Sequence, residues 1–81
     1  MWYVYVLLCL DNSLYTGISN NPQQRFKDHK NGKGGSYTRS HKPLKIVYLE
    51  KLPTKSEALK RELQIKGWSR SEKIKILELE I

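Results

Sequence analysis

The sequence predicts an α+β fold, a small three-stranded, mainly antiparallel sheet flanked by helices in the order β-β-α-β-α-α. Three observations carry that expectation. The amino terminus and residues 44–51 are rich in the β-branched and aromatic side chains that favour a pleated surface. Two stretches of the form Ser/Thr-x-x-Glu, Thr54-Lys55-Ser56-Glu57 and Ser69-Arg70-Ser71-Glu72, mark helix starts in the last third of the chain. A chain of 81 residues has volume for one hydrophobic centre only, so these elements belong to a single domain, residues 1–81.

Trp2 to Leu10 and Leu14 to Ser19 read as two strands separated by the polar break Asp11-Asn12-Ser13, which makes them a hairpin. Asn20 and Asn21 are suitable helix caps and Pro22 a suitable first helical residue, so a helix is expected from about Pro22 to Asn31, ending at Gly32. Gly32 to Pro43 (GKGGSYTRSHKP) holds three of the five glycines and reads as the one substantial loop. Leu44 to Lys51 is the third strand, ended by Pro53. Thr54 caps a helix running to Lys66 before Gly67. Ser69 caps a last helix to about Glu80, whose apolar side includes Ile74, Leu77 and Ile81.

Composition narrows the function classes. The only cysteine, Cys9, excludes an internal disulfide and any multi-cysteine metal site, and a reducing cytoplasm is its natural setting. The apolar amino terminus carries no leading Lys or Arg and is too short to span a bilayer, which fits a core strand and gives no membrane partner. The formal net charge is +7, and its distribution is uneven. Between Gln23 and Lys45 lie Arg25, Lys27, Lys30, Lys33, Arg39, Lys42 and Lys45 against the single acid Asp28. Such a block is either a face that binds a polyanion, releasing its condensed counterions, or a solvated surface kept soluble by charge; the clustering favours nucleic acid.

Five side chains then stand out: Tyr5, Tyr15, Arg25, His29 and Glu62. Each has an ordinary role when taken alone. Tyrosines pack well in strands. Arg25 and His29, at i and i+4, share a helix face that usually meets water. Glu62 falls in or beside the stripe that should face the sheet, or else at its edge, paired with a neighbouring Lys or Arg.

Taken in order, Tyr3-Val4-Tyr5, Tyr15-Thr16-Gly17, Arg25-x-x-x-His29 and a lone Glu62 on a later helix resemble the motifs of the GIY-YIG endonuclease superfamily. The likeness covers nearly the whole chain and is greatest to the family's small stand-alone, single-domain members, which run on into stretches like Lys33-Gly34-Gly35-Ser36-Tyr37-Thr38-Arg39. The family's Gly and Ile of the first motif are Tyr3 and Val4 here, and Ile of the second is Thr16, all at backbone or packing positions. Some relatives carry a further asparagine beyond the glutamate; here the last one is Asn31.

The resemblance implies a metal-dependent endonuclease that hydrolyses phosphodiester bonds in nucleic acid, DNA ahead of RNA. It implies that Tyr5 activates the water, Tyr15 orients it or the phosphate, and Glu62 holds a divalent ion, Mg²⁺ or alternatively Mn²⁺. A cation that keeps most of its water shell is compatible with a single carboxylate. Arg25 would fork to the phosphate and His29 would share the proton traffic. Lys33, Arg39 and Lys42 could meet flanking phosphates, with Tyr37 stacking on a base. Target specificity would come from nucleic-acid shape, a protein partner or self-association. The alternatives are a non-catalytic nucleic-acid-binding module that retains the fold, and a protein-interaction domain for an acidic partner.

One geometric requirement follows from alternation. Tyr5 and Tyr15 share a sheet face only if the hairpin closes with a three-residue loop, expected at Asp11-Asn12-Ser13, or an equivalent bulge.

Overall fold

A computed structural model describes residues 1–81. Strands β1 (Trp2–Cys9), β2 (Leu14–Ser19) and β3 (Pro43–Leu52) form one antiparallel sheet in the order β2-β1-β3. β1 is central because it is the most apolar run. Val4 through Cys9 are all buried, as a strand covered on both faces must be.

The two faces of β1 have different partners. Val4 and Val6 meet Ala58 and Ile65 of α3 (Lys55–Lys66) together with Leu77 and Leu79, which follow α4 (Arg70–Ile76). Each large apolar side chain fully buried here contributes on the order of 1.5–3 kcal/mol. Tyr5 points the other way, toward α1 (Pro22–Lys30) and α2 (Ser36–Ser40). Two register shifts, where β3 skips Val47 and Leu44 in its pairing with β1, kink that edge strand. α3 is pinned to it by Arg61, whose Nε donates to Glu50 at 3.0 Å while its guanidinium lies 5.4 Å from the centre of the Trp68 ring.

The helix starts follow the sequence signals. Asn21 accepts from the Gln24 amide with Pro22 in the first turn, and Gly32 takes the left-handed conformation (φ 75°) just beyond α1. Ser69 and Glu72 form a complete capping box. At α3 only half of the expected box is present, the Thr54 side chain accepting from the Glu57 amide.

Three expectations are corrected. The hairpin loop has three residues, but they are Leu10-Asp11-Asn12, one position earlier. Cys9 and Ser13 close it, with Cys9 N donating to Ser13 O at 2.9 Å. Asn12 at φ 71° supplies the left-handed residue that a three-residue hairpin requires. Tyr5 therefore pairs with Gly17 and Tyr15 with Leu7, and the even spacing keeps both tyrosines on one face.

Secondly, the glycine-rich stretch is not wholly loop, since α2 lies inside it. Thirdly, the last helix stops at Ile76 and the chain turns at Glu78 (φ 55°). Leu77 and Leu79 both enter the core. Residues two apart point to opposite sides of a helix, so burying both ends it. Ile81, expected on the apolar side, lies beyond the helix and is exposed.

Candidate active site

The site is assembled where β1, β2, α1 and α2 meet. Tyr5 in β1 is 1% exposed, and its hydroxyl lies 2.8 Å from His29 Nε2. The phenol fits there because its cross-strand neighbour is a glycine: a Cβ on Gly17 would stand 2.6 Å from the Tyr5 hydroxyl. The last residue of the Tyr15-Thr16-Gly17 motif is thus a steric requirement of Tyr5. Tyr15, half-buried in β2, sets its ring 5.0 Å edge-on to His29 and 6.4 Å from Tyr5.

Helical spacing places Arg25 and His29 on one face of α1, one turn apart. His29 is completely buried and its second nitrogen, Nδ1, is 2.6 Å from Thr38 Oγ1. Arg25 Nη2 donates to the Gly34 carbonyl at 3.1 Å, leaving its other N–H groups at the partly open rim. Asp28, 4.0 Å away at the limit of an ion pair, neutralises little of its charge.

Electrostatics keep the central pair neutral. Burial, with additions from Tyr15 and from the Glu62 carboxylate, pushes the Tyr5 phenol up to about 12, against the opposing pull of the Arg25 guanidinium. Burial and then Arg25 lower the His29 imidazole, with Asp28 opposing. At neutral pH a phenol therefore faces an imidazole, and one proton lies between them.

Glu62 projects from α3 between the buried Ala58 and Ile65 with 15% of its side chain exposed, and Lys66 Nζ lies 3.1 Å from its carboxylate. It is both beside the stripe and paired with a lysine, so the two readings of this residue coincide. No group of three His, Cys, Asp or Glu side chains is gathered anywhere in the chain. That donor set fits a cation held by one carboxylate and its own water shell, and does not fit a fully protein-ligated metal. A metal at Glu62 would displace the Lys66 ammonium.

The remaining site residues lie on or beside α2. Lys33, Arg39 and Lys42 are exposed. Tyr37 is 38% exposed, with one face stacked on His41 at 4.2 Å and its ring 5.5 Å from Tyr15. His41 is in turn held by the Asp11 carboxylate of the hairpin loop. Thr38, Gly17, Gly34, Asp11 and His41 are not among the site residues that the sequence predicts. The glycines left a trace there as a cluster and as a motif letter, Thr38 as one residue of the stretch from Lys33 to Arg39, and Asp11 as a hairpin residue, none with a role in the site.

A family model described as the GIY-YIG catalytic domain matches residues 1–75. Among curated proteins, a UPF0213 protein of Staphylococcus haemolyticus is 47% identical, over 94% of this chain and 93% of its own length. One of Clostridium perfringens is 48% identical, over 95% and 83%. Among solved structures, the solution structure of a UPF0213 protein from Bacillus halodurans is similar at 39% identity with a TM-score of 0.61, covering 96% of this chain and 84% of that one. A protein from E. faecalis is similar at 38% identity with a TM-score of 0.64, covering 94% and 81%.

Proposed function

The chain belongs to the GIY-YIG family of nuclease-type catalytic domains, and from that membership we propose that it is a divalent-metal-dependent endonuclease hydrolysing phosphodiester bonds, with DNA as the preferred nucleic acid. The observation that carries this reading is the 2.8 Å contact between the Tyr5 hydroxyl and His29 Nε2 with Arg25 and Tyr15 beside it. A phenol raised to about 12 is a poor base by itself at neutral pH. Coupled to an imidazole it needs no prior ionisation. As water attacks phosphorus, its proton passes to the Tyr5 oxygen while the phenolic proton passes to Nε2.

Arg25 keeps free N–H donors for the non-bridging oxygens even while one binds the Gly34 carbonyl. Tyr15 lines the route to Tyr5 and orients the water or the phosphate. Because Tyr5 is buried in the free protein, Tyr15 and Arg25 are the partly open side chains that must shift to admit them. A divalent cation on Glu62, when bound, would supply Lewis-acid stabilisation of the phosphate charge and of the departing oxygen. Lys33, Arg39 and Lys42 would grip flanking phosphates without reading sequence. Specificity is left to nucleic-acid shape or to a partner.

The competing reading is a non-catalytic binding module. It draws on the burial of Tyr5 and on the lysine that occupies Glu62. Plasmid nicking separates the two. The nuclease nicks with Mg²⁺, stops with chelator, and is disabled by Glu62→Gln and by Tyr5→Phe. A module that retards DNA in a gel yet never nicks it under any divalent ion tested would sink the enzymatic reading.

A further inference from the structure

Helix α2 is anomalous by its own chemistry. Five residues are too few to hold a helix in water, and its start at Gly35 has no side-chain cap. Its position is fixed by tertiary contacts alone, and the most buried of them belongs to Thr38, 2% exposed. Arg25 grips Gly34 and His29 grips Thr38, both contacts bridging nine residues, so that one turn of α1 lies against one turn of the following segment. Gly34 must lack a side chain here, because a Cβ would overlap His29 Nδ1. The same nitrogen is thus closed in by the Gly34 backbone and by the Thr38 hydroxyl.

A neutral imidazole has one proton for two nitrogens, and the partner of one nitrogen decides the state of the other. Two proton arrangements suit the line Thr38–His29–Tyr5. If Thr38 donates to Nδ1, the proton sits on Nε2 and points at the Tyr5 oxygen, and the phenolic proton then needs another acceptor. The 1% exposure of Tyr5 leaves it little access to water. If instead Nδ1–H donates to Thr38 Oγ1, the Nε2 lone pair takes the Tyr5 proton. The threonine's own proton is then carried by a hydroxyl that can rotate to suit its surroundings, which the phenol of Tyr5, fixed in the ring plane, does less readily. Only the second arrangement gives the Tyr5 proton an acceptor, since His29 Nε2 is the one hydrogen-bond partner of that hydroxyl.

We propose that Thr38 is a positioning residue, whose hydroxyl accepts the Nδ1 proton of His29 and so holds Nε2 ready to receive the proton of Tyr5. The catalytic consequence rests on the reading of Tyr5 and His29 as a coupled base; the tautomer itself does not. Thr38 does to His29 what a carboxylate does in other relays, but without a buried charge beside Arg25.

The test has two arms. In ¹⁵N NMR of the free, metal-free protein, His29 carries its proton on Nδ1 in the wild type and in Thr38→Ser, and shifts toward the Nε2–H form in Thr38→Val. In plasmid nicking with Mg²⁺, Thr38→Val lowers turnover roughly tenfold to a hundredfold with DNA affinity unchanged, and Thr38→Ser restores it. A wild-type spectrum with the proton on Nε2 overturns the inference, even if the valine variant does not fold. So does a folded valine variant that keeps the Nδ1–H form. Absence of nicking in the wild type would overturn the nuclease reading instead, with the tautomer measurement still deciding the part assigned to Thr38.

Discussion

At the scale of single residues, Thr16 and His29 show how burial alone sets a prediction. Thr16 stands where the family's second motif has Ile, it is 2% exposed, and its hydroxyl is buried with no hydrogen-bond partner. It pairs with Val6 and belongs to the face opposite the tyrosines. Thr16→Val removes an unsatisfied group at constant shape, and should raise stability by about 1 kcal/mol in a denaturant melt with nicking unaltered. His29 is the opposite case, a polar group fully satisfied but costly to charge. Its folded value lies below the usual 6.5, so between the two values the unfolded chain binds more protons and stability rises with pH. The melting temperature should fall as pH drops below about 6.5, and the acid limb of nicking should lie below the ordinary imidazole range. A melting temperature that rises on acidification would refute the assignment. The sequence pointed to His29 through the likeness of Arg25-x-x-x-His29 to a family motif, since the four-residue spacing alone suggested a face that meets water. It could not point to Thr38, whose role depends on a contact made by a segment with no periodicity of its own.

At the scale of elements, the strands and the three longer helices were legible because each carries a local cause: β-branched runs, capping boxes, and proline or glycine at the ends. α2 was not legible, since no cap marks its start and its stability comes from what it touches. The end of α4 was missed for a related reason. An apolar pattern does not reveal that Leu77 and Leu79 are both wanted by the core. The α1–α2 contact is where an element-level change should have the largest effect for the smallest substitution. Gly34→Ala puts a methyl group into the His29 ring, whose plane is already held by Thr38 and Tyr5. Either the ring or the Gly34 backbone must give way, and the Gly34 carbonyl is tied to Arg25. Overpacking of this kind costs on the order of 1–3 kcal/mol. It should also break the Tyr5–His29 contact, visible as a changed His29 ring signal by NMR. Gly35→Ala is the contrasting control, because nothing lies within 4 Å of a Cβ there and its cost is the left-handed backbone alone (φ 121°).

At the scale of the whole molecule, the sheet divides the chain into a packing side and a tyrosine side, with Glu62 alone of the candidate site residues carried by a helix of the packing side, and the basic block follows the division. Val4, Val6, Ala58, Ile65, Leu77 and Leu79 gather on one face. Tyr5, His29 and Arg25 lie on the other, and the exposed Lys33, Arg39 and Lys42 border them on the segment around α2. The uneven charge was readable from the sequence; that it borders the tyrosines was not, because it depends on α2 folding back against β2 through Tyr37 and Tyr15. A polyanion held by such a rim releases counterions in proportion to the phosphates neutralised, so affinity should fall steeply with salt. If Lys33, Arg39 and Lys42 each meet one phosphate, replacing all three with Ala should make the slope of log K against log salt shallower by about 0.9 for each phosphate no longer neutralised. Lys75, exposed on α4 behind the packing face, is the matched control, since Lys75→Ala takes one positive charge from the net +7 and leaves the slope alone. Filter-binding titrations at several salt concentrations measure both. Equal slopes for the triple variant and the wild type would mean that the rim carries no phosphate. The basic block would then be a solvated surface, and the substrate path would have to lie elsewhere on the tyrosine face.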